Sequence, residues 1–352
     1  MRGNKGEWSE IYAFFKLLFD KKMYAGDDNL NLIPDVYYPI LDIARGPEVS
    51  YILNESNNIV TLKSHDNHII KEIDISSFPS IINNIFLSIN TSNSTTFELP
   101  FLNDLLHEFQ ITRLSASSHA KQDIYIKFHD IRTGFINKSG FSIKSMLGSS
   151  STLLNASGST KFIFKIDGDN LSDLKSQNLR PGKEIVSFLL NNNYKLTFFK
   201  TSNDIFASNL MMTDYILPEL MSQVILVYFS STYSNINTIT STIESNNFLN
   251  IPENYVAFFY KYKIKQLLVN VALGMMPATV WQGNYTANGG YIIVKESGDI
   301  VCYHIYDKHR FENYLFNNIK LDTPSLSRHH CGFIYTHGDN YYIDLPLQLR
   351  FI

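Results

Sequence analysis

The chain reads as a mixed α/β protein, and three patterns carry that reading. An apolar stripe at helical spacing runs through residues 6–23, where Ile11, Phe14, Phe15, Leu17 and Leu18 share a broad face. Two alternating runs flank a Thr-Gly turn near the middle: Ile124-Tyr125-Ile126-Lys127-Phe128 and Phe141-Ser142-Ile143-Lys144. From Tyr291 onward, further strand-like runs are separated by Gly-Asp turn chemistry.

Taken in order, the first helix is followed by several short strands over 35–75, among them 49–53 and 59–62. Residues 98–110 suggest a second helix leading to the central hairpin. Behind the hairpin, 145–157 reads as a polar turn or short helix, and 161–166 as a strand. The Ser-, Thr- and Asn-rich stretch 230–247 is either a linker or a helix with a polar face. A strong helix is predicted over 252–275. The C-terminal strands fall into two hairpins, turning at Glu296-Ser297-Gly298-Asp299 and at His337-Gly338-Asp339-Asn340. No internal repeat is visible. A soft boundary within 195–250 divides the chain into residues 1–200 and a helical, then β-rich part over 201–352.

Composition narrows the function classes. At 352 residues and 44% hydrophobic, the chain can bury one large elaborated core or two ordinary ones. No apolar run approaches the ~18 residues of a membrane span. The start, Met1-Arg2-Gly3-Asn4-Lys5-Gly6-Glu7, has no hydrophobic stretch, so no secretory signal is expected. Cys302 and Cys331 are the two cysteines, without CxxC spacing. That excludes a disulfide scaffold and a thiolate zinc site, and it fits a reducing bacterial cytoplasm. A net charge of −3 argues against a loose, non-specific DNA binder. The 25 Phe and 21 Tyr lie mostly at core positions, so they are packing rather than a stacking platform. P-loop, GxGxxG and HExxH motifs are absent.

The hairpin carries the chemistry. With a turn centred near Thr133-Gly134, Asp123 falls opposite Lys144 and Tyr125 opposite Ser142. Side-chain alternation then puts Asp123, Ser142 and Lys144 on one face, and Ile124, Ile126, Phe141 and Ile143 on the other, toward a core. A carboxylate beside a lysine at a hairpin end suits a metal-dependent phosphodiesterase: the acid holds Mg²⁺, and the lysine orients water and phosphate. Alone, Asp123 would be an ordinary strand-start residue and Lys144 a solvated one; their register favours the functional reading. Asp130 is the rival carboxylate, but it lies near the turn and on the Ile124 face. Ser142 has no base-and-orienter pattern to make it a nucleophile, so it is read as positioning a water or ligand. Gln348 and Arg350 alternate on one face of the last strand, where Gln suits adenine and Arg guanine; a solvated strand face explains them equally well. Arg328, with His329 and His330, could meet phosphates or bases.

Three blocks in order resemble the HpaII family of type II restriction endonucleases. They are Gly3-Asn4-Lys5-Gly6-Glu7-Trp8-Ser9-Glu10; the stretch 121–155 with Gly140-Phe141-Ser142-Ile143-Lys144-Ser145 and Thr152-Leu153-Leu154-Asn155; and the stretch 289–351 with Leu321-Asp322-Thr323-Pro324-Ser325 and Gln348-Leu349-Arg350-Phe351. The resemblance implies a PD-(D/E)xK nuclease core, a central mixed β-sheet flanked by helices. It implies a Mg²⁺-dependent endonuclease acting on double-stranded DNA at a short palindrome, CCGG in the type member. It further implies a cognate DNA methyltransferase and, for a two-fold symmetric target, a homodimer. The chain departs from the superfamily pattern at Ser142, where an acid is usual. Related nucleases with SxK bring the missing carboxylate from a helix, after a Lys-Gly pair. Lys5-Gly6 to Glu10 fits that spacing and makes Glu10 the second metal-binding acid, with Glu7 the alternative as an ordinary N-terminal charge. By the same resemblance Ile143 offers its backbone carbonyl to the metal, and Asn155, Thr152 and Lys5 face DNA. A structure-specific or repair nuclease on the same core, or a DNA-binding protein with a decayed site, remain the alternatives.

Overall fold

In the computed structural model, residues 1–54, 56–115, 121–176 and 179–352 are described. They fall into two compact units, each built from separate stretches: Met1–Ser151 with Tyr285–Tyr314, and Thr152–Asn284 with Leu315–Ile352. The division expected near residue 200 therefore lies inside the second unit. The physical reason is a strand pair. Strand Gly290–Val294 runs parallel to strand Ile136–Ser145, and a parallel neighbour requires a crossover, so the chain leaves the first unit and returns to it.

The first unit opens with helix Lys5–Asp20, close to the expected span. A capping box starts it: Asn4 Oδ1 accepts from the Glu7 N–H at 3.0 Å, and Glu7 Oε2 accepts from the Asn4 N–H at 2.8 Å. Lys21, at φ 56°, ends it. Its apolar stripe buries Ile11, Phe14, Phe15 and Leu18. Phe15 meets Phe78 of helix Phe78–Thr91 and Phe109 at ring distances of 5.3 and 5.4 Å, while Phe14 meets Tyr51 of the sheet at 4.8 Å. Each fully buried ring of this kind contributes about 1.5–3 kcal/mol.

Against this layer lies a mixed sheet of nine strands among the described residues. Its order is Lys22–Gly26, Ile300–His304, Gly290–Val294, Ile136–Ser145, Ile124–His129, Leu32–Ala44, Val49–Leu53, Ile59–Ser64 and Ile69–Asp74. Several strands form over 35–75 as expected, the first being the end of the long strand Leu32–Ala44, which also pairs with Lys22–Gly26. Residues 98–110 yield only a 3-10 turn at Pro100–Leu102 and the short helix Asn103–Glu108.

The central hairpin forms, with strands Ile124–His129 and Ile136–Ser145, but its register differs by two residues from the expected one. Ile124 pairs with Phe141 and Tyr125 with Gly140, and Asp123, just outside the strand, meets Ser142 and not Lys144. The cause is Asp130. Its carboxylate accepts from the Arg132 N–H at 3.0 Å, its N–H donates to the Phe135 carbonyl at 2.9 Å, and its carbonyl accepts from Gly134 at 2.8 Å. The turn therefore centres one residue earlier, on Arg132-Thr133, with Gly134 at φ +74° closing it. A two-residue shift preserves which face each side chain takes; a one-residue shift would have inverted it. Ile124, Ile126, Phe141 and Ile143 are accordingly buried in the core beneath the first helix.

Gly290 is where its strand comes closest to the antiparallel neighbour Ile300–His304. Its φ is +107°, and a Cβ there would sit 2.0 Å from the Tyr303 carbonyl oxygen. Gly290→Ala is expected to cost more than ~2 kcal/mol, read as a fall in Tm of roughly 5 °C or more by calorimetry.

The second unit contains a four-stranded antiparallel sheet in the order Lys195–Thr201, Lys161–Asp167, Asn340–Pro346, Ile334–His337. A three-stranded sheet follows the order Thr152–Leu154, Leu349–Phe351, Ile319–Leu321. Thr152–Leu154 is thus a strand where a polar turn or short helix was expected, because its leucines are buried against Leu349 and its neighbours. The Ser- and Thr-rich stretch resolves as helix Ile236–Asn246. Asn235 caps it, and Ile236, Ile239 and Ile243 form its buried stripe. Helix Glu253–Leu273 matches its expected span. Among the described residues no single helix is long and apolar enough to cross a membrane.

Candidate active site

Where the two hairpin strands end, Asp123 leaves the ladder and turns its carboxylate onto the neighbouring strand. Its own N–H still donates to the Phe141 carbonyl at 2.8 Å. Its Oδ2 accepts from the Ile143 N–H at 2.6 Å and from the Ser142 hydroxyl at 3.1 Å. The carboxylate is thereby locked to the SIK triplet, though its direct partner is Ser142 and not the expected Lys144. Lys144 lies one alternation further along the same face. Its ammonium sits 5.4 Å from the ring centre of Tyr291, which the adjacent strand presents beside Ser142.

The electrostatics of this corner are tight. Burial pushes the Asp123 carboxyl above its ordinary range, opposed by Lys144, the Ile143 N–H, the Ser142 hydroxyl and Arg45. Lys121 is pushed down to about 8, chiefly by burial, then by Lys144, with Asp123 opposing. Charges of both signs are therefore held in a half-dry space, where they interact more strongly than in water.

The first helix is tied to the same corner. Ser145, at the end of strand Ile136–Ser145, donates to Ser9 Oγ at 2.8 Å, and Ser9 in turn bonds the Lys5 carbonyl at 2.7 Å. One residue beyond Ser9, Glu10 Oε2 approaches the Arg45 guanidinium at 3.9 Å. Arg45 is largely buried; burial lowers its pKa, with Glu10 the leading opposing charge and Asp123 a further one. It also donates to the carbonyls of Arg113 and Leu114 and stacks 5.8 Å from the Phe14 ring. Glu10 and Asp123 thus share one cation. Glu7, the alternative acid, is used in the capping box. Asp130 is buried in the turn and paired with Arg132 at 3.6 Å. The Lys5 stem lies close to Gly148 in the loop after strand Ile136–Ser145.

Arg45, Lys121 and Tyr291 are site neighbours that the sequence reading did not single out. Arg45 carried no signal beyond following a strand.

The expected DNA-facing residues of the second unit form their own group. Leu347, Leu349 and Phe351 are buried, so Gln348 and Arg350 alternate to the other side. Thr152 and Lys320 pair directly with Arg350 across the three-stranded sheet, and Arg350 bonds Asp322 at 3.1 Å. Arg328 and Asn155 are exposed.

Among the described residues, no group of three or more His, Cys, Asp or Glu side chains is gathered as a metal cage. The oxygen donors at the hairpin end nevertheless suit Mg²⁺, which is commonly held by one or two carboxylates together with substrate phosphate and water. The Ile143 carbonyl adds to them, because a strand residue's N–H and C=O leave on the same side and its N–H already points at Asp123. Ser142→Ala removes one donor to a buried carboxylate. If this corner holds Mg²⁺, the expected result is roughly tenfold weaker Mg²⁺ binding, measured by titration calorimetry.

Comparison with known proteins follows this geometry. The family model for the HpaII restriction endonuclease matches residues 4–351. Among curated proteins, the type II restriction enzyme HpaII of Haemophilus parainfluenzae is 44% identical over 358 residues, covering 99% of this chain and 98% of that protein. No solved structure matches.

Proposed function

The chain belongs to the HpaII restriction endonuclease family and is a type II site-specific deoxyribonuclease acting on DNA, and we propose that it hydrolyses duplex DNA at CCGG with Mg²⁺ bound at the hairpin end. The observation that carries this reading is the Asp123 carboxylate, locked by Ser142 and the Ile143 N–H with Lys144 next on its face. The large mixed sheet flanked by helices is consistent with a nuclease core.

In this reading Asp123, Glu10 and the Ile143 carbonyl hold the ion. Both hydrogen bonds to Asp123 fall on Oδ2, which leaves Oδ1 to face it. A bound Mg²⁺ supplies Lewis-acid stabilisation of the phosphoryl oxygens and a water of lowered pKa. Lys144 orients the attacking water and balances charge gathering on the phosphate. Ser142 fixes Asp123 and does not attack. In-line displacement leaves 5′-phosphate and 3′-hydroxyl ends. Lys5 and, in the second unit, Thr152, Asn155 and Arg328 contact the DNA backbone. Arg350 is the guanine reader; Gln348 meets no adenine within CCGG, so it reads a flank or a phosphate. A two-fold symmetric target suits a homodimer, and the host carries a methyltransferase that protects its own sites.

The test is digestion of unmethylated plasmid DNA with Mg²⁺ or with EDTA, followed by run-off sequencing. Discrete ends within CCGG, lost in EDTA, support the reading. Ends at another palindrome would overturn the site, and cleavage in EDTA would overturn the ion.

A further inference from the structure

Each half of CCGG is two G·C pairs, and their guanines stack on one strand about 3.4 Å apart along the axis. Arg350 serves one of them, which leaves the other without a reader. The three-stranded sheet places a second cation beside Arg350. Strand Ile319–Leu321 pairs with strand Leu349–Phe351 in a register that sets Lys320 directly opposite Arg350, and Thr152 lies opposite Arg350 on its other side. Ile319, Leu321, Leu349 and Phe351 are buried, so alternation sends Lys320 and Arg350 together to the other face. Both are half-buried there.

The backbone under Lys320 is fixed from both edges. On the side away from Arg350, Asn235 forms a bridge with Lys320, and the Leu321 N–H donates to the Ser234 carbonyl at 2.8 Å. The acid beside the two cations is already committed: Asp322 Oδ2 accepts from Arg350 at 3.1 Å, and Oδ1 from the Thr323 N–H at 2.9 Å. Among the described residues, Lys320 itself has no ion pair, while Arg350 has one to Asp322. Like charges directly opposed across two strands are destabilising unless a partner supplies acceptors. Neighbouring strands lie about 4.7–4.9 Å apart, close enough for two long side chains to reach two stacked bases. A guanine edge offers O6 and N7, both acceptors, and arginine or lysine can engage the two together.

We propose that Lys320 is a specificity-determining residue that reads the second guanine of a half-site, donating to its O6 and N7 in the major groove beside the guanine held by Arg350. This rests on the reading of Arg350 as a guanine reader within CCGG. A base contact, unlike a phosphate contact, is lost at one position of the site and not uniformly across it.

The experiment measures binding by anisotropy, in EDTA, to fluorescein-labelled CCGG duplexes: natural, or with 7-deazaguanine in place of the first or of the second guanine of each strand, which turns the N7 acceptor into a C–H. The wild type, Lys320→Met, Lys320→Arg and Arg350→Met are compared. Lys320→Met is expected to bind the natural duplex about tenfold more weakly. It loses nothing further when one particular guanine is modified, whereas modifying the other weakens it as it weakens the wild type. Arg350→Met shows the converse pattern. Lys320→Arg keeps binding of the natural duplex, because arginine makes the same paired contact, and the Tm of Lys320→Met is not reduced. The same loss for Lys320→Met on all three duplexes, with a salt slope lower by about one, would make Lys320 a phosphate contact and overturn the proposal, as would no loss on the natural duplex. If Arg350→Met shows the same loss on all three duplexes, the reading of Arg350 as a guanine reader has failed. If Arg350→Met is insensitive to one guanine and Lys320→Met to neither, the Lys320 proposal alone has failed.

Discussion

Asp123→Asn is expected to lower the single-turnover cleavage rate by about a thousandfold or more, because in the proposed reading it removes the anionic charge that would hold the ion and so several kcal/mol of transition-state stabilisation. The substitution keeps the size of the side chain and an oxygen that can accept from Ser142 and Ile143. It also removes a charge that burial disfavours, so the fold should be at least as stable as the wild type. DNA binding in EDTA should be retained. That combination of unchanged Tm, retained binding and lost cleavage separates an ion-holding role from a structural one. A loss of rate accompanied by an equal loss of binding would point instead to a misfolded hairpin end.

If Lys144 acts as proposed, Lys144→Ala should cost about a hundred- to a thousandfold in kcat, the usual effect of deleting one fixed charge aimed at a developing oxyanion. Lys144 is held by position: its strand pairs on both sides, and the ammonium is 5.4 Å from the Tyr291 ring centre. Lys144→Arg is not expected to rescue, because a planar fork cannot reproduce a compact ammonium in that space. Single-turnover rates at saturating DNA and Mg²⁺ check this directly. A change confined to KM, with kcat preserved, would move Lys144 from the chemical step to binding.

How much of this was legible beforehand depended on whether the signal was local. Alternation in 124–128 and 141–144 determines which side chains share a face, and Asp123 does meet Ser142. The apolar stripe from Ile11 to Leu18 was equally local, as were the Gly298 and Gly338 turns, both of which have positive φ. The exact pairing within the hairpin was not local to the Thr-Gly signal. It turned on one side chain, since the Asp130 carboxylate caps the Arg132 N–H and moves the turn back by one residue. The two-part build of each unit rests on the pairing of Gly290 with Phe141, across a separation that periodicity cannot report. Arg45 escaped for the same reason. Its importance comes from Glu10 and Asp123 arriving beside it from distant parts of the chain.

The most direct test of the cleavage centre compares the two carboxylates of the hairpin, Asp123 at its open end and Asp130 in its turn. Asp123→Asn and Asp130→Asn would be assayed beside the wild type in single-turnover cleavage of a CCGG duplex with Mg²⁺, each at a temperature where calorimetry finds it folded. The expected result is that Asp123→Asn is inactive while Asp130→Asn, though less stable, cuts within about tenfold of the wild-type rate. Cleavage by Asp123→Asn at the wild-type rate, or loss of cleavage by a folded Asp130→Asn alone, would contradict it and move the centre to the other end of the hairpin.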